Sequence, residues 1–299
     1  MSTTGNTAPP QTTPTRPAPE NPKPKGRAGS IIAGIAAWII GLLFVIPVLM
    51  MVLTSFHPES LASLNAPDLF APLTLDNYRS FFGESSGQSP WPYLINSALA
   101  AVVSTILVLA LSIPAAYALS VKRVKKWSDV MSFFLSTKFL PAAAALAPLF
   151  IIALNLGVLN QIWVLMILYT AMNLPIAVWM MRSFLADIPP ALFEAASLDG
   201  AGLMKTLTRV VAPIAMPGIA STALICFIFS WNELMLANLL TSTSAAQTSP
   251  VLLTSFVTSQ GLFLAQVCAA ATAVSVPVLI AGFAAQDKLV QGLSMGAVK

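Results

Sequence analysis

Charged residues are scarce in this chain of 299 residues, since 15 Lys and Arg and 11 Asp and Glu together make up only 9% of it. A soluble domain normally has about a quarter of its residues charged, because its surface must stay hydrated. Hydrophobic residues make up 57% of the chain, and the mean hydropathy is +0.80. The composition therefore argues against an aqueous enzyme and a nucleic-acid-binding protein, and it predicts an integral membrane protein.

Histidine and cysteine are scarce as well. The one histidine, His57, has no partner in sequence and is predicted to be solvated, and Cys226 and Cys268 lie in apolar runs typical of small buried side chains. The chain has no His-Glu-x-x-His motif and no Ser-His-Asp set, and Met204 stands where a phosphate-binding loop needs glycine. We therefore predict no catalytic residue, no metal site and no cofactor.

Long apolar runs are abundant, and each approaches the ~20 residues that a helix needs to cross a bilayer. Six are recognisable: 31–56, 94–119, 130–154, 162–181, 211–231 and 262–285. Because such runs are too long and continuous for barrel strands, the predicted fold is an all-α membrane protein with six transmembrane helices. Lys138, Pro141 and Pro148 interrupt the third run.

The first 29 residues differ from the rest in composition. They contain seven prolines among Thr, Asn and Gly and almost no large apolar side chain. Such a segment cannot bury enough surface to offset its ordering entropy, so residues 1–29 are predicted to be a disordered tail. Residues 30–299 are predicted to form the transmembrane domain.

The positive charges predict the orientation in the membrane, because cytoplasmic segments carry an excess of Lys and Arg. Thirteen of the 15 cations fall in the tail, the 122–126 connection, the 182–210 connection and the C-terminal region. This asymmetry places both termini and the 182–210 connection in the cytoplasm. The 57–92 and 236–261 loops then face outward.

Charge inside the membrane usually marks an ion path or a proton relay. Only Lys138 and Glu233 lie within or at the edge of a predicted span, and a structural role is favoured for both. This scarcity, with the lack of an internal repeat, argues against an ion-coupled secondary carrier.

The cytoplasmic connection contains two short predicted helices. Residues 187–190 are typical of a helix start, residues 191–198 form helices well, and Asp199 and Gly200 predict a stop before a second helix over 203–211. The pair could be a docking site for another protein, with small residues at Ala195, Ala196 and Gly200 and a charge at Glu194. It could equally be an amphipathic elbow lying on the bilayer.

One gapped pattern favours docking. Glu194-Ala195-Ala196, three residues, Gly200, nine residues and then Val210-Val211-Ala212-Pro213 resembles the EAA loop of binding-protein-dependent ABC importer permeases, here about residues 187–213. Over residues 30–299 the chain is similar to the second permease subunit of maltose-type carbohydrate importers, on segments 156–160, 231–233 and 289–299. Segments 137–141, 172–175 and 297–299 are most similar to permeases for sugar alcohols such as sorbitol or mannitol.

The resemblance implies a type I ABC importer permease in a bacterial cell membrane. Its expected partners are a second permease subunit, a dimer of a cytosolic ABC ATPase and an extracellular solute-binding protein that delivers a carbohydrate or polyol. The segment from Glu194 to Gly200, including Asp199, would be the coupling helix that contacts the ATPase, and the C-terminal segment 289–299 is a second expected contact.

Candidate residues for the solute pathway offer hydrogen-bonding or stacking groups, although each also fits ordinary helix packing. They are Asn96, Tyr169, Asn173, Trp231 and Asn232. Two other functions stay open from the sequence: an ion-coupled carrier and a membrane scaffold that transports nothing.

Overall fold

The structure is a computed structural model that describes residues 27–62, 70–83, 89–121, 124–139, 142–258 and 261–297. Helices dominate these ranges, as the sequence predicts, and one two-residue antiparallel pair joins Val257–Thr258 (β1) to Gly261–Leu262 (β2). Residues up to Val48 and residues from Leu49 onward form separate units. The predicted tail lies outside the described residues up to position 26, and its last three residues are helical.

The helices follow the chain in this order: α1 (Arg27–Ser55), α2 (Glu59–Ala62), α3 (Asp76–Phe82), α4 (Trp91–Ser120), α5 (Trp127–Phe139), α6 (Ala142–Asn155), α7 (Ile162–Ala186), α8 (Pro190–Leu198), α9 (Leu203–Thr206), α10 (Ala212–Ile214), α11 (Met216–Trp231), α12 (Met235–Leu240), α13 (Ser249–Thr254) and α14 (Leu264–Ala297). A π-helical turn, Leu207–Val211, joins α9 to α10.

Four continuous helices are long and apolar enough to cross a bilayer: α1, α4, α7 and α14. Two further spans require a bent pair of helices each, α5 with α6 and the α9–α10 segment with α11. The predicted count of six therefore holds if each bent pair crosses the membrane once.

The two bends were not equally predictable. An 88° bend separates α5 from α6. Of the predicted interruptions, Pro141 lies outside the described residues, Lys138 lies in the last turn of α5 and Pro148 lies inside α6. The 86° bend before α11 falls at Ala215, inside the 211–231 run predicted to be one transmembrane helix. Pro217 at the start of α11 suits this bend, because proline is well accommodated in a first helical turn.

The centre of the described bundle is formed by α4, α7 and α11, and α14 packs against α11. The approach of α11 to α7 depends on Gly218, since a Cβ added there would lie 2.3 Å from Cγ of Phe184. Both cysteines, Cys226 and Cys268, are buried and free, as predicted.

The prediction that His57 is solvated is wrong, since only 4% of the residue is exposed. The chain after α1 folds back on itself around Asn77, whose side-chain amide donates to the backbone oxygens of Ser55 and His57 at 2.9 and 2.8 Å. The backbone N–H of Thr74 also donates to the carbonyl oxygen of Phe56 at 2.6 Å. These bonds join residues too far apart in sequence for composition to reveal them.

Candidate functional site

The predicted coupling segment folds as a short, well-defined helix. After α7 ends at Ala186, α8 runs from Pro190 to Leu198, close to the predicted 191–198. Pro190 occupies the first helical position, where its fixed φ fits the helix and no backbone N–H is needed.

A Schellman motif closes α8. The N–H of Ala201 donates to the carbonyl of Ala196 at 3.0 Å, and the N–H of Gly200 donates to that of Ser197 at 3.1 Å. Gly200 has φ +69°, the left-handed conformation that this motif requires and that glycine adopts without a steric penalty. The predicted stop at Gly200 is thus a hydrogen-bonded cap.

The inner side of α8 is anchored to the membrane bundle through Phe193. Its ring packs edge-on against Tyr117 of α4 at a centroid distance of 5.7 Å, and both belong to a buried cluster that includes Met181 and Leu185 of α7. Ala196 is also buried, with 8% exposure. Ala196 therefore faces the bundle rather than an external partner, and of the predicted small contact residues only Ala195 and Gly200 are exposed.

The outer side of α8 and α9 exposes apolar side chains that the sequence did not single out. Leu198 is 88% exposed and Met204 is 72% exposed. We define the coupling surface by the exposed residues of this side: Leu192, Glu194, Ala195, Leu198, Asp199, Gly200, Leu203 and Met204. Large apolar side chains exposed beside the carboxylates of Glu194 and Asp199 are typical of a surface that another protein covers.

Two open cavities flank Glu194. One, of about 340 Å³, is lined by Tyr117 and Leu203 among others, and the second, of about 400 Å³, by Ser120 and Ile188. Glu194 and Phe193 border both, so the carboxylate stands on a ridge between two recesses. A surface of this shape offers a partner protein both a charge and adjacent pockets.

Three polar side chains form a buried chain between α4, α7 and α11. Asn173 donates to Oγ of Ser230 at 3.0 Å, and Ser104 donates to the same oxygen at 3.0 Å. Asn173 is fully buried, and its Oδ1 has no hydrogen-bond partner in the described part of the chain. This cluster joins the three central helices inside the membrane.

Three further pathway candidates lie in this region, of which Tyr169 and Trp231 are buried and Asn232 is exposed. Tyr169 is fully buried, with its hydroxyl 3.5 Å from the backbone oxygen of Glu233, and Trp231 donates from Nε1 to the Val274 carbonyl at 3.2 Å. Asn232 is exposed, and among the described residues its side-chain amide donates to the Ile228 carbonyl of α11, at 2.9 Å.

Glu233 has a structural role, as the sequence favoured. Its carboxylate accepts hydrogen bonds from the backbone N–H groups of Leu236 and Ala237 at 2.9 to 3.2 Å. It therefore caps the start of α12, where a negative charge also complements the helix dipole.

Asn96, the remaining pathway candidate, supports the loop at residues 241–248. Its amide donates to the backbone oxygens of Ser244 and Gln247 at 3.0 and 2.9 Å. On the other side of the same loop, Asn160 accepts from the N–H groups of Ser242 and Thr243 at 3.0 and 3.1 Å. This role of Asn160 was not predicted from the sequence. Its backbone has φ +59°, a left-handed conformation that asparagine tolerates well.

Removing the Asn96 amide should loosen this loop. We expect Asn96→Leu to expose residues 241–248 to protease, because two carbonyls lose their donors at about 1–3 kcal/mol each. Asn232→Leu is the matched control, since the described hydrogen bond of the Asn232 amide is to Ile228 of α11. Equal proteolysis rates for the two variants in detergent would contradict this role for Asn96.

The comparisons with known proteins agree with this arrangement. Residues 108–294 match the family described as the inner membrane component of binding-protein-dependent transport systems. The chain belongs to this family. Members of this family named as ABC transporter permeases are transport subunits rather than enzymes, so this chain is a membrane transport protein and not an enzyme.

Two relatives illustrate the similarity. "Probable ABC transporter permease protein y4oR" of Sinorhizobium fredii is 37% identical over 262 residues, which cover 87% of this chain and 92% of the relative. The trehalose/maltose transport system permease protein MalG of Thermococcus litoralis is 32% identical over 270 residues, covering 90% and 96%.

A solved structure supports the fold. One chain of a bacterial ABC transporter involved in the import of the acidic polysaccharide alginate superposes with a TM-score of 0.70 at 21% identity. The match covers 89% of this chain and 99% of that one. The all-helical bundle is therefore an ABC importer permease fold.

Proposed function

We propose that this chain is one of two permease subunits that form the pore of an ATP-driven carbohydrate importer. The exposed coupling surface carries the proposal. Leu198 on α8 is 88% exposed, so it does not help to pack the membrane bundle, and such an apolar side chain suits a surface that another protein covers. A cytosolic ABC ATPase dimer would cover this surface. The EAA-type spacing from Glu194 to Pro213 supports that assignment.

The proposed topology puts residues 1–29, the coupling segment and the C-terminus in the cytoplasm of a bacterial cell. Its support is the concentration of cations in those segments. The outer loops, including 241–248 with its support from Asn96 and Asn160, would then face an extracellular solute-binding protein.

The proposed substrate class rests on relatives whose names mention a carbohydrate. They include permeases of a trehalose/maltose system and of a diacetylchitobiose system, the latter 29% identical over 272 residues. We propose a carbohydrate, with polyols such as sorbitol and mannitol in the first panel to be tested because of segments 137–141 and 172–175.

The coupling step follows from how α8 is attached. When ATP draws the ATPase subunits together, a force on the coupling surface passes through Phe193 and Tyr117 to α4 and α7. Because the cap at Gly200 closes the helix, α8 moves as a stiff unit, and the membrane helices follow it.

The test uses the chain purified with its native partners and placed in sealed vesicles. Loaded binding protein outside and ATP inside should drive uptake of one panel sugar and raise ATP hydrolysis. Uptake by this chain alone under an ion gradient would instead show a secondary carrier. Purification without an ATPase would favour a scaffold. Uptake that requires the binding protein inside the vesicles and ATP outside would overturn the topology.

A further inference from the structure

Lys138 is a cation far inside a membrane span. It lies in the last turn of α5, eleven residues after Trp127 at the start of that helix. At 1.5 Å per residue this is about 16 Å along the axis of α5, compared with a hydrocarbon thickness of ~30 Å. A lysine stem of four methylenes cannot carry the ammonium that far to the cytoplasmic interface.

Lys138 lies on the inward side of α5. Met131, seven residues earlier, is buried in a cluster with Leu119 of α4 and Val178 of α7, and Phe134 packs against the same cluster. Residues spaced by three, four and seven share one side of a helix, so Lys138 points the same way. Yet Lys138 is exposed, so the described residues of this chain leave it uncovered at its level.

The side of α5 that carries Lys138 packs against α7 nearer the start of α5. Phe134 of α5 and Leu174 of α7 both pack against the cluster that contains Met131 and Val178.

No carboxylate of this chain neutralises Lys138 among the residues that the structure describes. Glu233 caps the start of α12, and Asp287 lies in α14 next to Lys288, where the apolar part of that helix ends; neither forms an ion pair with Lys138 in the described ranges. The ion pair found in the described ranges joins Arg79 to Asp76. An unpaired cation at this depth is unfavourable against lipid, so it must face a hydrated or polar space.

We propose that Lys138 lines the solute pathway at mid-membrane depth and donates hydrogen bonds to the hydroxyl oxygens of the carbohydrate in transit. This rests on the proposed import function. An ammonium group has three donors and no acceptor, which suits a ligand rich in hydroxyl acceptors. Hydrogen bonds from a charged donor are the stronger kind, and their strength increases where water is partly excluded.

The first test needs no knowledge of the substrate. In a background with Cys226→Ala and Cys268→Ala, Lys138→Cys in the assembled complex should react with a hydrophilic thiosulfonate carrying a trimethylammonium group. Phe133→Cys is the matched control, because Phe133 is exposed on the opposite side of the same helix and should not react. No reaction at position 138, or equal reaction at both positions, would overturn the proposal.

The second test measures uptake of whichever panel carbohydrate the unaltered complex imports. Lys138→Met should lower uptake about ten- to a hundredfold, as expected for loss of a charged hydrogen-bond donor, with Lys138→Arg retaining most of it. Complex assembly should be unchanged in both variants. If Lys138→Met instead prevents assembly, the lysine pairs with a carboxylate of the second permease, and the pathway assignment is overturned.

The two proposals fail in different ways. If the unaltered complex imports nothing from the panel and shows no stimulated ATP hydrolysis, the import function fails. If it imports a carbohydrate while Lys138→Met retains full uptake, only the role of Lys138 fails.

Discussion

Reversing the charge at Glu194 (Glu194→Lys) is expected to abolish carbohydrate uptake by the assembled importer while leaving membrane insertion unchanged. Glu194 is exposed and makes no hydrogen bond or ion pair with another described residue, and lysine forms helices well. The change in folding stability should therefore stay within about 0.5 kcal/mol, as for most surface substitutions. Any large loss of transport must then come from a partner that covers the coupling surface.

The size of the effect depends on how the partner meets the carboxylate. Placing like charges together in an interface costs several kcal/mol, and each 1.4 kcal/mol is a factor of about ten in affinity. We therefore expect uptake to fall below one hundredth and ATP hydrolysis to lose its response to the loaded binding protein. Uptake rate, ATPase rate and ATPase co-purification measure this directly.

Two variants make the test specific. Asp129→Lys reverses a charge at an exposed site in the first turn of α5, proposed to lie on the same side of the membrane, and should keep most of the uptake. Glu194→Gln removes the charge but keeps the shape, and should give an intermediate loss. Equal uptake for Glu194→Lys and Asp129→Lys would mean that Glu194 does not contact the ATPase.

Features that depend on neighbouring residues were predictable from the sequence. The apolar runs gave the four continuous spans to within a few residues, since burial in lipid depends on local composition. The bounds of α8 were equally predictable, because Pro190 and Gly200 favour a helix start and stop through their own backbone geometry. The direction in which each α8 side chain points was not accessible, so Ala196 was wrongly grouped with the exposed contact residues.

Features that depend on distant pairs were not predictable. Asn173 and Ser230 are 57 residues apart, and Asn96 bonds to a loop about 150 residues later. An isolated asparagine in an apolar run gives no sign of which of these roles it has. The bend at Ala215 is similar, because Pro213 and Pro217 fit a kinked helix and a helix start equally well.

The two candidate regions have complementary properties that suit transport. The coupling surface exposes large apolar side chains, as a surface that another protein covers would. The central helices are joined by buried hydrogen bonds such as Ser104 to Ser230, which favour movement of α4, α7 and α11 as one body. Phe193 connects the two regions, because it packs on Tyr117 from the coupling side.

Stiffness of α8 can be tested at its cap. Gly200→Val should reduce uptake and stimulated ATP hydrolysis severalfold or more, although position 200 has open space for a larger side chain. The cause is backbone strain: a left-handed conformation costs about 1–2 kcal/mol for an L residue and is least accessible to β-branched ones. That cost lowers the population of the hydrogen-bonded Schellman cap, relative to the frayed helix end, by a factor of about 5 to 30.

Gly202→Val is the matched control for this strain. Gly202 also has open space around it, but its φ of −68° and ψ of 170° lie in the extended region that valine adopts readily. We expect near-normal uptake for Gly202→Val, and faster hydrogen exchange at the Ala201 amide only for Gly200→Val. If both variants lose uptake equally, added bulk on the coupling surface is responsible; if neither does, coupling does not depend on the Schellman cap. A loss confined to Gly200→Val would mean that ATP-driven motion reaches the membrane only while α8 keeps its closed end.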